Sequence, residues 1–167
     1  MHASFRIIDP FLTRPPVMTL ENLPEEIKSL VNEIAQIEDQ QTAVRYAYDA
    51  LSKKYRGFRL FTFLRPDRFF ITNLSVLWKK TGFLHCNHLN YLLRTILVAS
   101  KKFSPENIEA RWTQIWFFSP HQYLVFHLKN GATLSVDLWG KVYGIPFGKY
   151  ASGLHSGSIL KSEKNKQ

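Results

Sequence analysis

His121-Gln122-Tyr123-Leu124-Val125-Phe126-His127-Leu128-Lys129-Asn130-Gly131-Ala132-Thr133-Leu134-Ser135-Val136-Asp137-Leu138-Trp139 reads as two strands, His121 to Leu128 and Ala132 to Trp139, joined at Lys129-Asn130-Gly131. The length of the turn decides which side chains share a face, because a slip of one residue exchanges the faces. A two-residue turn at Asn130-Gly131 pairs Lys129 with Ala132 and mixes Leu124, Phe126 and Leu128 with Thr133, Ser135 and Asp137. A three-residue turn, with Gly131 in the left-handed region, changes the outcome. Leu124, Phe126, Leu128, Ala132, Leu134, Val136 and Leu138 then form one face, and His121, Tyr123, Val125, His127, Thr133, Ser135, Asp137 and Trp139 the other. The apolar residues separate almost completely, so the sequence predicts the three-residue turn.

That register carries chemistry. Asp137 falls opposite Tyr123 and diagonal to His121, and diagonal neighbours lie about 7–8 Å apart at the backbone, within reach of His and Asp side chains. His127 pairs instead with Thr133, which at the strand rise is about 13 Å along from Asp137. His121, not His127, is therefore the expected partner of Asp137. Trp139 is expected directly across from His121, shielding it from water. Asp is a poor strand former, so one held on a strand calls for a specific partner.

Upstream, His85 to Ser100 reads as a helix with Leu89, Leu92, Leu93, Ile96 and Leu97 on a wide apolar face, the pattern of a helix buried at a domain's centre. Cys86 falls in its first turn. The thiolate is the nucleophilic form of cysteine, and the positive end of a helix favours it. Such a thiol needs a base within hydrogen-bond reach, itself oriented by a third group. A lone helical cysteine is ordinarily inert core. What points to chemistry is Cys86, His121 and Asp137 taken together.

This order, Cys at a helix start, His at a strand start and Asp on the next strand, resembles the transglutaminase-like family of the papain superfamily. Cys86-Asn87-His88-Leu89-Asn90-Tyr91-Leu92-Leu93-Arg94 is similar to the family's nucleophile helix, which often continues into Leu-Leu-Arg. His121-Gln122-Tyr123-Leu124-Val125 is similar to its His-Ala-Trp-Val strand, and Ser135-Val136-Asp137 to its Val-Asp-Pro strand. The likeness covers about residues 40–145, and the triad spacings are typical of the family. The chain departs from the pattern at Leu84, where Gly is usual, at His88, where an acidic or amide residue is frequent, and at Leu138, which stands where Pro is usual.

The resemblance implies an α+β fold with a papain/transglutaminase-like core, its central nucleophile helix packed on an antiparallel sheet and further helices N-terminal to it. It implies cysteine-dependent acyl chemistry on amide bonds, of protease, deamidase or transglutaminase type, on a protein or peptide substrate and without a cofactor. Cys86 would attack the carbonyl, His121 would take its proton and later protonate the leaving amine, and Asp137 would orient the imidazole. The Cys86 backbone N–H would bind the oxyanion, with Trp78 as the second donor. His85, Tyr123 and Trp139 would line the substrate cleft. The alternative is a domain of the same fold without activity, binding nucleic acid or an acidic protein through a basic surface.

The rest of the chain frames this core. Its 167 residues, 45% hydrophobic and 14% aromatic, suit a single folded domain over residues 21–150. Residues 1–20, with Pro10, Pro15 and Pro16, read as an extended arm, and residues 151–167 as a flexible basic tail. Asn22 is the expected cap of a first helix, and a second is expected from Asp39 to Arg56-Gly57. Phe58 to Leu64 reads as a strand or packed loop, Arg65-Pro66-Asp67 as a turn, and Asn73 to Trp78 as a short helix. Ile108 to Phe118 reads as a strand, with Ser119-Pro120 as punctuation.

The formal charge is +9, with four Lys/Arg against eight Asp/Glu in residues 1–50, and eighteen against five in residues 51–167. The basic residues come in pairs, such as Lys53-Lys54 and Lys79-Lys80, so a solvated face accounts for them as simply as a partner does. One cysteine excludes an internal disulfide and suits a reducing compartment. No signal peptide or membrane span is readable, so a cytoplasmic protein without membrane attachment is expected. His85, Cys86 and His88 lack a second ligand pair at zinc-like spacing, so no metal site is expected.

Overall fold

The computed structural model describes residues 23–66, 71–116 and 118–153. The arm over 1–20, the Asn22 cap, Asp67, Phe117 and the tail from 154 onward lie outside them. In chain order the elements are α1 (Glu25–Ala35), α2 (Gln40–Lys54), β1 (Tyr55–Arg56), α3 (Arg59–Leu64), α4 (Leu74–Lys79), β2 (Gly82–Phe83), α5 (Cys86–Ala99), β3 (Ile108–Ile115), β4 (Ser119–His127) and β5 (Thr133–Val136). The architecture mixes helices with a small antiparallel sheet ordered β3-β4-β5, and β1 and β2 add a short parallel pair. No helix among the described residues is long and apolar enough to cross a membrane.

Local chemistry sets the helix starts. Pro24, whose fixed φ suits a helix entrance, is the residue before α1 and is followed by the acidic Glu25 and Glu26. Asp39 caps α2 by accepting from the Thr42 N–H at 2.6 Å, and Asn73 caps α4 by accepting from the Val76 N–H at 3.1 Å. α1 and α2 turn Ile27, Val31, Ile34, Val44, Ala47 and Leu51 onto one common core. Against them lies α5, buried from Asn87 to Leu97, with β4 packed on its far side. A helix enclosed in this way must be apolar nearly all round, which explains the density of Leu and Ile in its sequence.

The hairpin has the expected register. Leu124 pairs with Val136, Val125 with Ser135, Phe126 with Leu134 and His127 with Thr133. Leu128 donates its N–H to the Ala132 carbonyl at 2.9 Å, and Gly131 takes φ +82°, which a side chain would strain. The segregation of apolar residues was therefore sufficient to fix a three-residue turn.

Several boundaries differ from the sequence reading. β5 stops at Val136 rather than running to Trp139, because the Asp137 side chain accepts the Gly140 N–H at 2.8 Å and starts a 3₁₀ turn over Trp139–Tyr143. Phe58 to Leu64 is neither strand nor loop: the Phe58 carbonyl accepts from Thr62 N–H, and α3 forms with Leu60, Phe61, Phe63 and Leu64 on its exposed surface. Ser119-Pro120 does not interrupt the sheet but begins β4, with Pro120 opposite Gln114. β5 does not extend alongside Pro120, so its missing N–H leaves no ladder bond unmade on that side. Residues 151–153, read as tail, are packed: Ala151 is buried, and Gly153 bridges Ile115 on the outer edge of β3.

Candidate functional site

Cys86 is the first residue of α5 and is half-buried. His85, extended at φ −69° and ψ 159°, precedes it as the N-cap, so Cys86 lies where the helix N–H groups lack intrahelical acceptors. His121, near the start of β4, is the bridge to the sheet. Its Nε2 donates to Asp137 Oδ2 at 2.7 Å. Nδ1 is the ring nitrogen left for Cys86, which lines the same cavity as His121 and whose sulfur is among the causes that raise the His121 pKa. His121 and Asp137 are both buried, so water does not compete for either.

Asp137 is held from several directions. Oδ1 accepts the Gly140 N–H at 2.8 Å, and Oδ2 accepts the Ala151 N–H at 3.0 Å besides His121. Gly140 is required there, since a Cβ would stand 2.7 Å from Asp137 Oδ2. Burial alone would raise the Asp137 carboxyl's pKa, but the facing His121 and the two backbone donors outweigh it and hold it below the usual carboxylate value. For His121, burial works against the charged ring, yet the Asp137 carboxylate and the Cys86 sulfur outweigh it and push its pKa up. Both shifts favour the imidazolium–carboxylate form of the pair.

Trp139 covers this pair. Its ring centre lies 5.1 Å from that of His121, tilted by 53°, with Tyr143 5.0 Å away on the same turn. The contact with His121 was expected, but it is made from the 3₁₀ turn and not across a strand pair. Gly57 supports Trp139 from beneath, where a Cβ would meet the Trp139 carbonyl at 2.5 Å and its indole at 2.6 Å.

The sheet and helix are fastened close to His121. Asn90 of α5 donates its Nδ2 to the Gln122 carbonyl at 2.9 Å and to Gln122 Oε1 at 3.2 Å, all buried. This tie fixes the residue next to His121 against the helix that starts with Cys86.

A narrow cavity of about 50 Å³ opens beside the thiol, lined by Thr62, Phe63, Cys86, Ile115, Trp116, Phe118, Ser119, Pro120, His121 and Trp139. Three of the residues expected at the site are elsewhere. Trp78 packs on Tyr55, with ring centres 6.2 Å apart, under the Lys54 ammonium at 3.8 Å; it does not line the cavity. His85 is buried, its Nε2 3.1 Å from the Arg65 carbonyl oxygen and its ring against Phe83, so the cap residue turns away from the cleft. Tyr123 is stacked on Tyr150 at 4.0 Å and is buried on the sheet. Leu84, where the family has Gly, is core as well.

The lining residues Thr62, Phe63, Trp116 and Phe118 escaped the sequence reading. Phe63 was assigned to an undecided segment and Trp116 and Phe118 to a strand; only the unusual density of aromatics in Ile115-Trp116-Phe117-Phe118 could have flagged them. Among the described residues, no three His, Cys, Asp or Glu side chains gather as metal ligands would.

No protein family model matches the chain, and no curated protein or solved structure is significantly similar to it.

Proposed function

We propose that this chain is a cysteine-dependent acyl enzyme of papain/transglutaminase-like type, acting on amide or ester carbonyls through Cys86, His121 and Asp137. The observation that carries the reading is the position of His121, which lines one cavity with Cys86 and is bonded through Nε2 to a buried, multiply anchored Asp137. A purely structural His–Asp pair has no need of a half-buried thiol at a helix start beside an open cleft.

In this reading His121 holds the proton before attack, as its raised pKa favours. The Cys86 sulfur adds to the carbonyl carbon, and charge develops on the carbonyl oxygen near the N–H groups that open α5. His121 gives its proton to the leaving amine or alcohol, the carbon–heteroatom bond breaks, and a thioester remains on Cys86. Water or an amine then adds to the thioester carbonyl, His121 takes its proton, the carbon–sulfur bond breaks to release the acid or the new amide, and Cys86 is returned as thiolate beside a protonated His121. Asp137 keeps the ring turned so that Nδ1 faces sulfur throughout. Trp78 packs on Tyr55 and does not line the cavity, and the Thr62 hydroxyl donates to the Phe58 carbonyl at 3.2 Å, so the hydroxyl of Ser119, in the cavity lining, is the group proposed as second oxyanion donor.

The test is acylation by p-nitrophenyl acetate. The reading expects a burst of nitrophenolate with the acetyl group found on Cys86 by peptide mass, lost in Cys86→Ala and strongly slowed in His121→Ala. A burst that persists in Cys86→Ala contradicts it.

A further inference from the structure

The cavity beside Cys86 has a composition that the proposed chemistry does not by itself require. The chain is strongly basic, at +9, yet among the described residues no Lys, Arg, Asp or Glu lines the cavity. Among the described residues its walls are Phe63, Ile115, Trp116, Phe118, Pro120 and Trp139, with Thr62, Ser119 and the reacting pair supplying the polar side-chain groups beyond the indole N–H groups. Phe63 and Phe118 are 55% and 70% exposed, from two different elements of the fold. Large apolar side chains that line a cavity and are left to solvent mark a binding surface.

The backbone gives an independent sign. Trp116 takes φ +55°, a left-handed conformation that a bulky residue rarely adopts. The conformation is pinned: the Trp116 N–H donates to the Gly153 carbonyl at 2.8 Å, and its own carbonyl accepts from the Phe118 N–H at 2.8 Å. Gly153 N–H in turn donates to the Gln114 carbonyl at 2.9 Å. Strain that is held in place by several bonds, at the rim of a cleft, is the kind that persists for function. Here it presents Trp116 at the cavity while the chain turns from β3 into β4.

Resting on the acyl-enzyme reading above, we infer that the substrate's acyl group is an uncharged, slender apolar chain, seated between Phe63 of α3 and Trp116 and Phe118 of the β3–β4 turn. The enclosed space of about 50 Å³ admits a few water-sized groups, so a short unbranched segment fits next to the carbonyl while the remainder lies along the aromatic rim. A charged acyl group would be stripped of water there with no oppositely charged partner among the described lining residues. The reaction is the acylation already described: sulfur–carbon bond formation, cleavage of the ester carbon–oxygen bond, and departure of nitrophenolate.

The test compares the rate of Cys86 acylation by p-nitrophenyl acetate, p-nitrophenyl hexanoate, the mono-p-nitrophenyl ester of adipic acid and p-nitrophenyl 6-aminohexanoate. Hexanoate is expected to exceed acetate, and each charged chain, about tenfold or more, as a few buried methylenes allow. Using a carboxylate and an ammonium chain separates the pocket's preference from attraction by the protein's overall charge. Trp116→Ala and Phe63→Ser are each expected to lower the hexanoate-to-acetate ratio about tenfold; Phe63, on an exposed helix surface, serves should Trp116→Ala not fold. Cys86-dependent acetylation with equal rates for the neutral and charged chains, or with ratios unchanged in both variants, overturns this inference and leaves the acyl-enzyme reading standing. No Cys86-dependent acylation by any of the esters overturns both.

Discussion

The Ala151 N–H donates to Asp137 Oδ2 at 3.0 Å, so the oxygen that faces His121 is also fastened to a segment that returns to the sheet from beyond the hairpin. That segment is itself tied down at both ends, where Gly148 bridges Ser135 and Gly153 bridges Ile115. The His–Asp geometry therefore depends on backbone 14 residues away in sequence as well as on β4, which carries His121, and the turn after β5, which carries Asp137.

Replacing Ala151 with proline removes that donor. The loss of a hydrogen bond to a buried carboxylate is expected to cost about 1.5–3 kcal/mol, read from urea unfolding. Ala151→Gly retains the N–H and is expected to cost distinctly less. Equal destabilisation by the two would show that the bond is not what matters at this position.

Gly140 and Gly131 make a contrasting pair. A Cβ on Gly140 would meet Asp137 Oδ2 at 2.7 Å and Ile145 Cγ1 at 2.9 Å, in a packed setting. Gly140→Ala is expected to lose about 1–3 kcal/mol and to slow Cys86 acylation, because the carboxylate must shift. Gly131, at φ +82° in the hairpin turn with open space around it, is expected to lose about 1 kcal/mol on changing to Ala through backbone strain alone, with acylation unaffected. Acylation rates of the two variants decide the matter.

The buried pair predicts a definite pH dependence of stability. The folded pKa of His121 lies above its unfolded value, so its contribution is complete below about pH 6.5 and fades as pH rises through the folded value. Asp137's folded pKa is lowered, so its contribution is complete above about pH 4 and is lost as pH falls through the folded value. The stability gap between the wild type and Asp137→Asn is therefore expected to be widest between about pH 4 and 6.5, at roughly 3 kcal/mol, and to narrow on either side. Urea titrations across the range measure it. A gap that keeps growing into alkaline solution contradicts the assignment of the proton to His121.

Asn90→Leu removes the donors that tie α5 to Gln122. The buried Gln122 carbonyl loses an acceptor bond, and a loss of about 1–3 kcal/mol is expected by urea unfolding. The change is also expected to slow acylation, since it loosens β4 beside His121 against the helix that starts with Cys86. Loss of stability with an unaltered acylation rate would make the tie structural only.

Much of this arrangement was readable from residues with strong local preferences. Asp39 and Asn73 marked helix starts, and the apolar face from Leu89 to Leu97 marked the central helix. The hairpin register followed from period-two patterning and one left-handed glycine. What was not readable depends on contacts made after the chain has folded. Asp137 was read as a strand residue, but a buried carboxylate satisfied by Gly140 and Ala151 bends the chain into a turn, which no local pattern announces. Phe58 to Leu64 lacks any strand or helix periodicity because several of its large apolar side chains face solvent, with Phe63 lining the cavity beside Cys86. Trp78 was chosen as an oxyanion donor by its place upstream of Cys86, and proximity in sequence said nothing of its packing on Tyr55.

The central claim is that His121 and Asp137 activate Cys86, and the chain's single cysteine makes it directly measurable. The measurement is the rate of carboxamidomethylation by iodoacetamide as a function of pH for the wild type, His121→Ala and Asp137→Asn, all confirmed as folded. The account predicts that at pH 6 the wild type reacts about tenfold or more faster than His121→Ala, with Asp137→Asn in between. Superimposable profiles for the three proteins, each following an ordinary thiol titration, would contradict it.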